Sequence, residues 1–375
     1  MKKILLLTHV SPPAVDGGSR VIVKTAEYLK KIGHQTLLIS SNAYSTDNFT
    51  HHYRATAPSR HRAILLPVYT IFHKPLKLIS KIFPIISVFA KGPIFKIIPF
   101  LHTLLSVIRY RPDLIIAGPL PTTIVLYARF IKFVIRNCKL IIVPCYHPTD
   151  PDFHNKLLLN TLKSADYIWT LTDFETNYFN KNLNIPKSKL LNIGNGIDPY
   201  LLTAAPSRHR ANVLLYIGSL AQHKNIESLI AVHQQLLSKF PKLKLIIAGQ
   251  KTLYYPHLQP LLKLPNIKVI FNFKTNALSR LLDHSSILVS PSTQESFGLT
   301  LIEAWARKTP VVTSDIPASS ELINKSKGGL IGLNNIETLL LNQPLSQKLG
   351  QNGYNYVKAN YLWPNIVNKL CQKLL

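Results

Sequence analysis

Residues 288–317 read LVSPSTQESFGLTLIEAWARKTPVVTSDIP, and this stretch predicts a strand, a helix and a second strand in close succession. Residues 287–289 are a short apolar run that a proline and a serine then interrupt. Apolar side chains recur at helical spacing through residues 297–307, and the valines at 311 and 312 begin another apolar run. This order predicts a parallel α/β unit whose ligand lies at the carboxyl ends of the strands.

Two carboxylates, Glu295 and Glu303, flank the predicted helix start with seven residues between them. Glu295 lies in the predicted loop and Glu303 about two turns into the helix, so both can face one ligand. The first backbone amides of the helix are expected to be free donors, namely those of Phe297, Gly298, Leu299 and Thr300. Free amides and the helix dipole favour a phosphate, and carboxylates accept from sugar hydroxyls. The pattern predicts a nucleotide-sugar site; the alternative is a surface helix with Glu295 in its first turn.

This pattern resembles the Glu, seven residues, Glu motif of the retaining glycosyltransferases of family four, which have the GT-B fold. The resemblance covers nearly the whole chain, and its most specific part is residues 292–310. It implies a metal-independent enzyme without a cofactor, which transfers a hexose from a UDP- or GDP-sugar to an acceptor hydroxyl and retains the anomeric configuration. It further implies that Glu303 holds the ribose diol and Glu295 the sugar hydroxyls.

The resemblance also implies the architecture, which is α/β with two Rossmann-like domains facing across a cleft. Residues 1–200 would form the acceptor-side domain and residues 201–355 the nucleotide-sugar domain. Residues 356–375 would form terminal helices, the last of which packs back on the first domain. The alternation of predicted strands and helices through both halves favours the same fold class.

Two glycines, Gly17 and Gly18, end the loop that follows the first predicted strand, and a helix is predicted over residues 21–31. Glycines here let the backbone approach a phosphate closely, although a plain turn is the alternative. The loop resembles the Pro-Pro…Gly-Gly loop of family four, which implies a position against the donor phosphate and the acceptor.

Two further residues follow predicted strands in places where ligand sites gather. His147 comes after the strand at 139–143 and matches the active-site histidine of the family, near the transferred sugar; the alternative is a polar packing group. Lys224 begins a helix after the strand at 213–217, where a cation can neutralise a leaving diphosphate; the alternative is a solvated charge. Ser219 stands where the family has an arginine, which removes one cation from that group of donor contacts.

The net charge of +27 requires a partner or a compositional explanation. Basic and aromatic residues alternate through residues 70–111, which predicts contact with an anionic membrane surface; core-facing helices with snorkelling lysines are the alternative. Prolines break this segment into runs too short to span a bilayer. Nucleic acid is a weaker candidate, because the basic residues are spread through both halves instead of forming one stripe.

Three cysteines without metal-ligand spacing and the lack of a signal peptide predict a cytoplasmic protein. The basic segment 70–111 adds the expectation that the protein is peripheral on the inner face of the plasma membrane. The triplet Asp150-Pro151-Asp152 has no second ligand set, so no metal site is predicted. The predicted acceptor is a saccharide or a lipid-linked saccharide in cell-envelope glycan synthesis. Because Ser219 replaces an arginine, and Lys251, Phe273 and Lys308 stand at usual glycine sites, the alternative is a catalytically weak nucleotide-sugar or glycan-binding subunit.

Overall fold

The computed structural model describes residues 1–9, 17–41, 64–66, 97–148, 150–202, 212–271 and 275–374. The chain divides into two compact units, of which the first comprises Met1–Gly194 and Val367–Leu375 and the second Asn195–Ile366. Three predicted features fall wholly or partly outside the described residues: the proline-containing part of the glycine loop, the 70–111 segment as far as residue 96, and Phe273.

The first unit alternates strands with helices. In chain order it contains β1 (Lys3–Thr8), α1 (Gly17–Lys31), β2 (Gln35–Ser41), β3 (Ile64–Leu66), α2 (Ile97–Tyr110), β4 (Leu114–Ala117), α3 (Ile124–Val134), β5 (Lys139–Ile142), α4 (Lys156–Ser164), β6 (Tyr167–Thr170), α5 (Asp173–Asn182) and β7 (Leu190–Asn192). Short 3₁₀ turns lie at Pro151–His154 and Lys187–Lys189.

Within the described residues, the strands of the first unit form one parallel sheet in the order β3-β2-β1-β4-β5-β6-β7. Strand β4 is apolar and buried throughout, and β1 and β5 are buried from their second residue onwards. Such burial is typical of a parallel sheet, whose two faces are both covered by helices. The chain runs outward from β1 to β3 and then returns to β4, so the strand order reverses between β1 and β4. Ligand sites of open α/β sheets gather at the carboxyl ends on either side of such a reversal.

The second unit repeats the same plan. Its elements are β8 (Val213–Ile217), α6 (Ile226–Leu236), β9 (Lys244–Gly249), α7 (Tyr255–Leu258), β10 (Ile267–Phe271), α8 (Thr275–Asp283), β11 (Ile287–Ser290), α9 (Leu299–Ala306), β12 (Val311–Thr313), α10 (Pro317–Ser326), β13 (Gly329–Ile331), α11 (Asn335–Leu341) and α12 (Gln343–Asn360). The last helix, α13 (Trp363–Leu374), begins in this unit, and its residues from Val367 onwards belong to the first unit. Turns of 3₁₀ type lie at Pro199–Leu202, Gln222–Lys224 and Leu261–Lys263.

The described strands of the second unit pair in parallel in the order β10-β9-β8-β11-β12-β13. The reversal of strand order falls between β8 and β11, which are the strands that precede Lys224 and Glu295. The prediction of an α/β chain with two Rossmann-like units is therefore confirmed.

Two predicted helix starts are wrong. Helix α1 begins at Gly17, four residues before the predicted start, so Gly17 and Gly18 belong to the helix instead of the loop. Helix α9 begins at Leu299, because Phe297 turns into the core and Gly298 adopts a left-handed conformation. Packing overrides the local pattern in both places.

Candidate active site

The loops after β8 and β11 leave the second sheet at neighbouring carboxyl ends. Lys224 ends the 3₁₀ turn Gln222–Lys224 after β8, and Glu295 lies between β11 and α9. The reversal of strand order thus brings together two charged residues that are 71 positions apart in the chain.

Lys224 and Glu295 form a partly shielded ion pair. The Nζ atom of Lys224 donates to Oε1 of Glu295 over 2.6 Å, and the side chains are 16% and 18% exposed. The hydroxyl of Ser292 donates to the same oxygen over 2.9 Å. Shielding strengthens the attraction relative to that of a fully exposed pair. Lys224 is therefore not a solvated surface charge, and the alternative stated for it is wrong.

Backbone contacts hold the two loops against each other. The amide and the hydroxyl of Thr293 both donate to the carbonyl of His223, over 2.9 and 3.1 Å. Asn225, directly after Lys224, is left-handed with φ 48°, and the hydroxyl of Ser228 donates to its side-chain oxygen over 2.8 Å. The position of the ion pair is thus set by both loops together.

The start of α9 is a helix terminus without a side-chain cap. Gly298 is the N-cap residue and has φ 102°, a conformation that side chains rarely adopt. A Cβ atom at this position would lie 2.3 Å from Cδ1 of Leu301, so another residue here would also require the Leu301 side chain to move. The first amides of a helix lack intrahelical acceptors, so those of Leu299 and Thr300 are available to an anion. Phe297, directly before Gly298, is buried and packs against Tyr361, with ring centroids 5.4 Å apart. This packing holds the turn at Gly298 in place.

Glu303 lies in the second turn of α9 and is 3% exposed. Its neighbours Ile302 and Ala304 are buried and apolar, and all of α9 from Leu301 onwards is buried. A carboxylate is costly to bury unless hydrogen bonds or charges compensate it. A glutamate that only kept the surface soluble would be exposed, so solubility does not explain Glu303. The alternative of a surface helix with Glu295 in its first turn is wrong, since α9 is buried and Glu295 precedes it by four residues.

The side chain of Tyr216 lies close to the backbone of Ser219 and Gly218, a contact that the sequence analysis missed. The hydroxyl of Tyr216 donates to the carbonyl of Ser219 over 2.8 Å. Burial, and then the negative charge of Glu295, raise the pKa of Tyr216 well above its ordinary value. A Cβ atom on Gly218 would lie 2.6 Å from this hydroxyl, and one on Gly249 would lie 1.7 Å from the carbonyl of Gly218. Tyr216 is thus a polar neighbour of the ion pair, hidden in the sequence within an apolar strand.

Lys251, at one of the usual glycine sites, follows β9 and pairs with Leu220 in an isolated parallel bridge. Its ammonium lies 4.5 Å from the ring centroid of Tyr255 and 4.7 Å from that of Phe271. Cation–π attraction to both rings orders this exposed side chain. Lys308, at another such site, has φ 56°, which explains why glycine is common there.

The predicted site residues of the first unit meet at the carboxyl edge of their own sheet. His147 is half-buried after β5, and its ring centroid lies 5.5 Å from that of Phe153. A Cβ atom on Gly18 would lie 2.8 Å from Cγ of Pro119 and 3.6 Å from the sulfur of Cys145. The start of α1, the loop after β4 and the loop that carries His147 therefore converge. Gly17 is exposed and has open space beside it.

The structure thus gathers the predicted residues into two groups. His147 and Gly18 share one sheet edge in the first unit, with Gly17 beside Gly18. The other group lies at one sheet edge in the second unit and consists of Ser219, Lys224, Glu295, Phe297, Gly298, Leu299, Thr300 and Glu303. Tyr216 and Ser292 join this group although the sequence analysis did not single them out as ligand-site residues.

Two features are absent from the described part of the chain. No group of three or more histidine, cysteine or acidic side chains could hold a metal ion there. No helix in those same ranges combines the length and the apolar character needed to span a bilayer.

A known family model matches most of the second unit. Residues 203–356 match the family model described as Glycosyl transferases group 1. These residues are thus similar to a glycosyl transferases group 1 domain. They contain the ion pair, the start of α9 and Glu303.

Curated relatives match about half of the chain. An uncharacterized glycosyltransferase of Haemophilus influenzae is 30% identical over 200 residues, which cover 49% of this chain and 51% of the relative. The O-antigen chain mannosyltransferase RfbU of Salmonella typhimurium is 28% identical over 187 residues, covering 48% and 52%. The matched part of the chain thus spans about half the length of these relatives.

Solved structures match the whole chain in fold. HepE of Anabaena, solved in complex with UDP and glucose, superposes with a TM-score of 0.76 at 15% identity and covers 100% of this chain and 99% of its own. WaaG, a glycosyltransferase involved in lipopolysaccharide biosynthesis, superposes with a TM-score of 0.70 at 14% identity, covering 98% of both chains. At these identities the likeness establishes the fold, which is that of GT-B glycosyltransferases.

Proposed function

We propose that this chain is a retaining glycosyltransferase. It transfers a hexose from a UDP- or GDP-sugar to a saccharide or lipid-linked acceptor in cell-envelope glycan synthesis. The observation that carries the proposal is the Lys224–Glu295 ion pair, 2.6 Å long, at the reversal of strand order within the residues similar to a glycosyl transferases group 1 domain. A nucleotide sugar presents an anionic diphosphate to the ammonium of Lys224 and a set of hydroxyl donors to the carboxylate of Glu295.

In this proposal donor binding separates the ion pair. The ammonium of Lys224 turns to the diphosphate, and the carboxylate of Glu295 accepts from hydroxyls of the sugar. The amides of Leu299 and Thr300 supply further donors to the phosphate, and Glu303 accepts from the ribose diol. Lys224 and these amides stabilise the charge that develops on the leaving diphosphate, so the reaction needs no metal.

The acceptor hydroxyl attacks from the side of the leaving phosphate, which retains the configuration of the anomeric carbon. The leaving phosphate assists this attack, so no protein nucleophile is assigned. In line with the family resemblance, His147 orients the transferred sugar, and Gly17 and Gly18 let the backbone approach the donor phosphate. RfbU is named as an O-antigen chain mannosyltransferase. This likeness supports a hexose as the transferred sugar and an envelope glycan as the acceptor.

A thermal-shift screen against UDP-, GDP- and other nucleotide sugars tests the donor. One nucleotide class should raise the melting temperature of the wild type, and the shift should be absent in Glu303→Ala. The screen is repeated with EDTA and with Mg²⁺, and transfer from the donor so found is followed by release of the nucleoside diphosphate. A transfer rate that EDTA abolishes and Mg²⁺ restores would overturn metal independence.

A catalytically weak nucleotide-sugar or glycan-binding subunit is the second candidate, and Ser219 favours it. The place of the family's arginine is taken by a residue whose carbonyl is held by Tyr216, so one cation is missing beside Lys224. This candidate predicts the same thermal shift without turnover. Release of nucleoside diphosphate from the donor in the presence of an acceptor would exclude this second candidate.

We also propose that the protein is cytoplasmic and binds the anionic inner face of the plasma membrane through residues 70–111. The described end of this segment supports the proposal, because Leu105 and Ile108 in α2 are 57% and 37% exposed and Arg109 beside them is exposed too. Exposed apolar and basic side chains on one helix favour an interface with anionic lipid. The protein should sediment with vesicles containing anionic lipid at physiological salt and stay in solution with neutral vesicles.

A further inference from the structure

Glu175 is a buried carboxylate in the first turn of α5, and it is 3% exposed. Its Oε2 atom accepts from the backbone amide of Leu171 over 2.6 Å. Its Oε1 atom accepts from the backbone amide of Tyr146 over 2.9 Å. The carboxylate therefore ties the loop after β6 to the loop after β5, at the carboxyl edge of the first sheet.

The loop after β5 is held in an unusual shape at this contact. Cys145, directly before Tyr146, is left-handed with φ 50°, which costs a residue other than glycine about 1 kcal/mol or more. The ring of Tyr146 is buried among Phe153, Tyr178 and Phe179, with centroid distances of 5.2, 5.3 and 5.0 Å. The aromatic packing fixes the side chain of Tyr146, and Glu175 fixes its amide. The next residue in the chain is His147.

Helix capping alone does not explain this carboxylate. Thr172 is the N-cap of α5, and its hydroxyl accepts from the amide of Glu175 over 3.0 Å, as in the first half of a capping box. In the second half of that motif, the carboxylate accepts from the amide of the N-cap residue itself. Glu175 reaches past the cap to Leu171 and to Tyr146, which is 29 positions away in the chain. A residue that only capped α5 would have no reason to join the loop that carries His147.

We propose that Glu175 is a positioning residue for His147, acting through the amide of Tyr146. The inference rests on the proposed function in that His147 faces the transferred sugar. The carboxylate holds the strained turn at Cys145 closed, and the turn sets where the imidazole of His147 stands. Glu175 does not touch the substrate in this account.

Glu175→Gln is the sharpest test because the two side chains have the same shape. A carboxylate presents two acceptors to two amides, whereas glutamine presents one acceptor and an NH₂ group that opposes the second amide. Asp173→Asn is the matched control, since Asp173 is exposed in the same helix turn and loses the same charge. The control accounts for any effect of the helix dipole.

The first readout is the ring signal of His147 in histidine-labelled full-length protein, assigned by its loss in His147→Ala. We expect this signal to move in Glu175→Gln and to keep its position in Asp173→Asn. The second readout is turnover with the donor found by the thermal-shift screen. Glu175→Gln should lower kcat about tenfold with little change in the KM for the donor, because the misplaced group acts in the chemical step.

The double variant Glu175→Gln/His147→Ala separates positioning from general destabilisation. If Glu175 acts through His147, the double variant turns over no more slowly than His147→Ala alone. An unmoved His147 signal in Glu175→Gln, or losses in kcat that multiply in the double variant, would overturn the proposal.

Should Glu175→Gln not fold, Glu175→Asp replaces it. Aspartate keeps the charge and the first-turn position but is one methylene shorter, so it cannot hold Leu171 and reach Tyr146 together. The same shift of the His147 signal is expected. If the wild type transfers no sugar from any donor, the proposed function fails, while the His147 signal still decides whether Glu175 sets the position of this ring.

Discussion

Helix α9 has an ion pair at each end, and the two pairs differ in construction. Before its start, the ammonium of Lys224 meets one oxygen of Glu295 over 2.6 Å, and both side chains are partly exposed. After its end, Arg307 donates to both oxygens of Asp283, over 2.8 and 2.7 Å. Arg307 also donates to the carbonyl of Leu201 over 3.0 Å and is 5% exposed.

The difference distinguishes a structural ion pair, Arg307–Asp283, from an ion pair that can exchange its partners for a ligand, Lys224–Glu295. A bidentate contact with an additional carbonyl satisfies the guanidinium in a fixed geometry, and breaking it leaves a buried charge. The contact between Lys224 and Glu295 uses a single oxygen, and its cation is 16% exposed, against 5% for Arg307. A charged ligand can therefore replace either partner of this pair. One short helix thus combines a structural end with a proposed binding end, and the following variants test this contrast.

The largest effect is expected from Glu295→Ala. Transfer should fall on the order of 1,000-fold or more, because the variant loses the acceptor for the sugar hydroxyls that positions the donor in the transition state. The free energy of unfolding should fall by only about 1 kcal/mol, since the pair is partly exposed. Product formation and urea unfolding measure the two effects.

Glu321→Ala is the matched control for Glu295→Ala, because it removes a glutamate that pairs with Lys325 over 2.6 Å on the same unit. It should leave transfer unchanged. Wild-type turnover in Glu295→Ala would remove Glu295 from the site, and a collapse of its fold would make the pair structural.

Arg307→Met should have the second largest effect, this time on stability. The unfolding free energy should fall by about 3 kcal/mol, because Asp283 is left partly buried without its partner. The kcat of the folded fraction should stay at the wild-type value. Urea unfolding with turnover measured below the transition tests both parts, and Lys325→Met, which breaks a more exposed pair, should cost about 0.5 kcal/mol or less. A loss of kcat without a loss of stability would reverse the roles given to the two ends.

Lys224→Met sharpens the same contrast from the cationic side. Removal of one cation from the leaving diphosphate should lower kcat about 100-fold. The thermal shift caused by the nucleoside diphosphate should shrink as well, whereas Lys239→Met, in the exposed pair with Glu337, should change neither quantity. Equal donor-induced shifts in wild type and Lys224→Met would show that the diphosphate is held elsewhere.

The smallest effect is expected from Tyr216→Phe and concerns pH. Because burial and Glu295 raise the pKa of Tyr216, the folded state keeps the phenol neutral at a pH where the unfolded chain ionises it. The unfolding free energy of the wild type should therefore hold steady below about pH 10 and fall above it, since the ordinary tyrosine pKa is about 10. In Tyr216→Phe this fall should be smaller, with about 1 kcal/mol lost at neutral pH from the bond to Ser219.

Urea titrations from about pH 8 to about pH 11, which is the range around the ordinary tyrosine pKa, measure this difference. Tyr200→Phe, at an exposed position, should follow the wild-type profile. Parallel profiles for wild type and Tyr216→Phe would contradict the buried neutral phenol beside the ion pair.

The parts of the fold that local pattern governs could be predicted from the sequence. The bounds of β8 follow from an apolar run, and this strand is observed where it was expected. The bounds of β5 and β11 agree with the expected ones to within one residue. The start of α1 could not be predicted in this way. Two glycines disfavour a helix locally, yet α1 begins at Gly17. Glycine is present at position 18 because a side chain there would collide with Pro119, a residue 101 positions away in the chain.

The candidate site divides in the same manner. Glu295, Gly298 and Glu303 stand in one continuous stretch, so their spacing and residue types were sufficient to single them out. Tyr216 and Glu175 were missed because an apolar strand and an ordinary capping pattern account for them locally. Their partners, Ser219 and the amide of Tyr146, become visible only in the folded chain.

The sequence by itself determined the succession of strands and helices and the chemistry of the residues around α9, because periodicity and residue type act over short distances. Tertiary structure decided which charges meet. Lys224 reaches Glu295 only because strand order reverses between β8 and β11, and Glu175 reaches Tyr146 only because β5 and β6 are neighbours in the first sheet. Such contacts depend on the order of strands, which no local pattern contains.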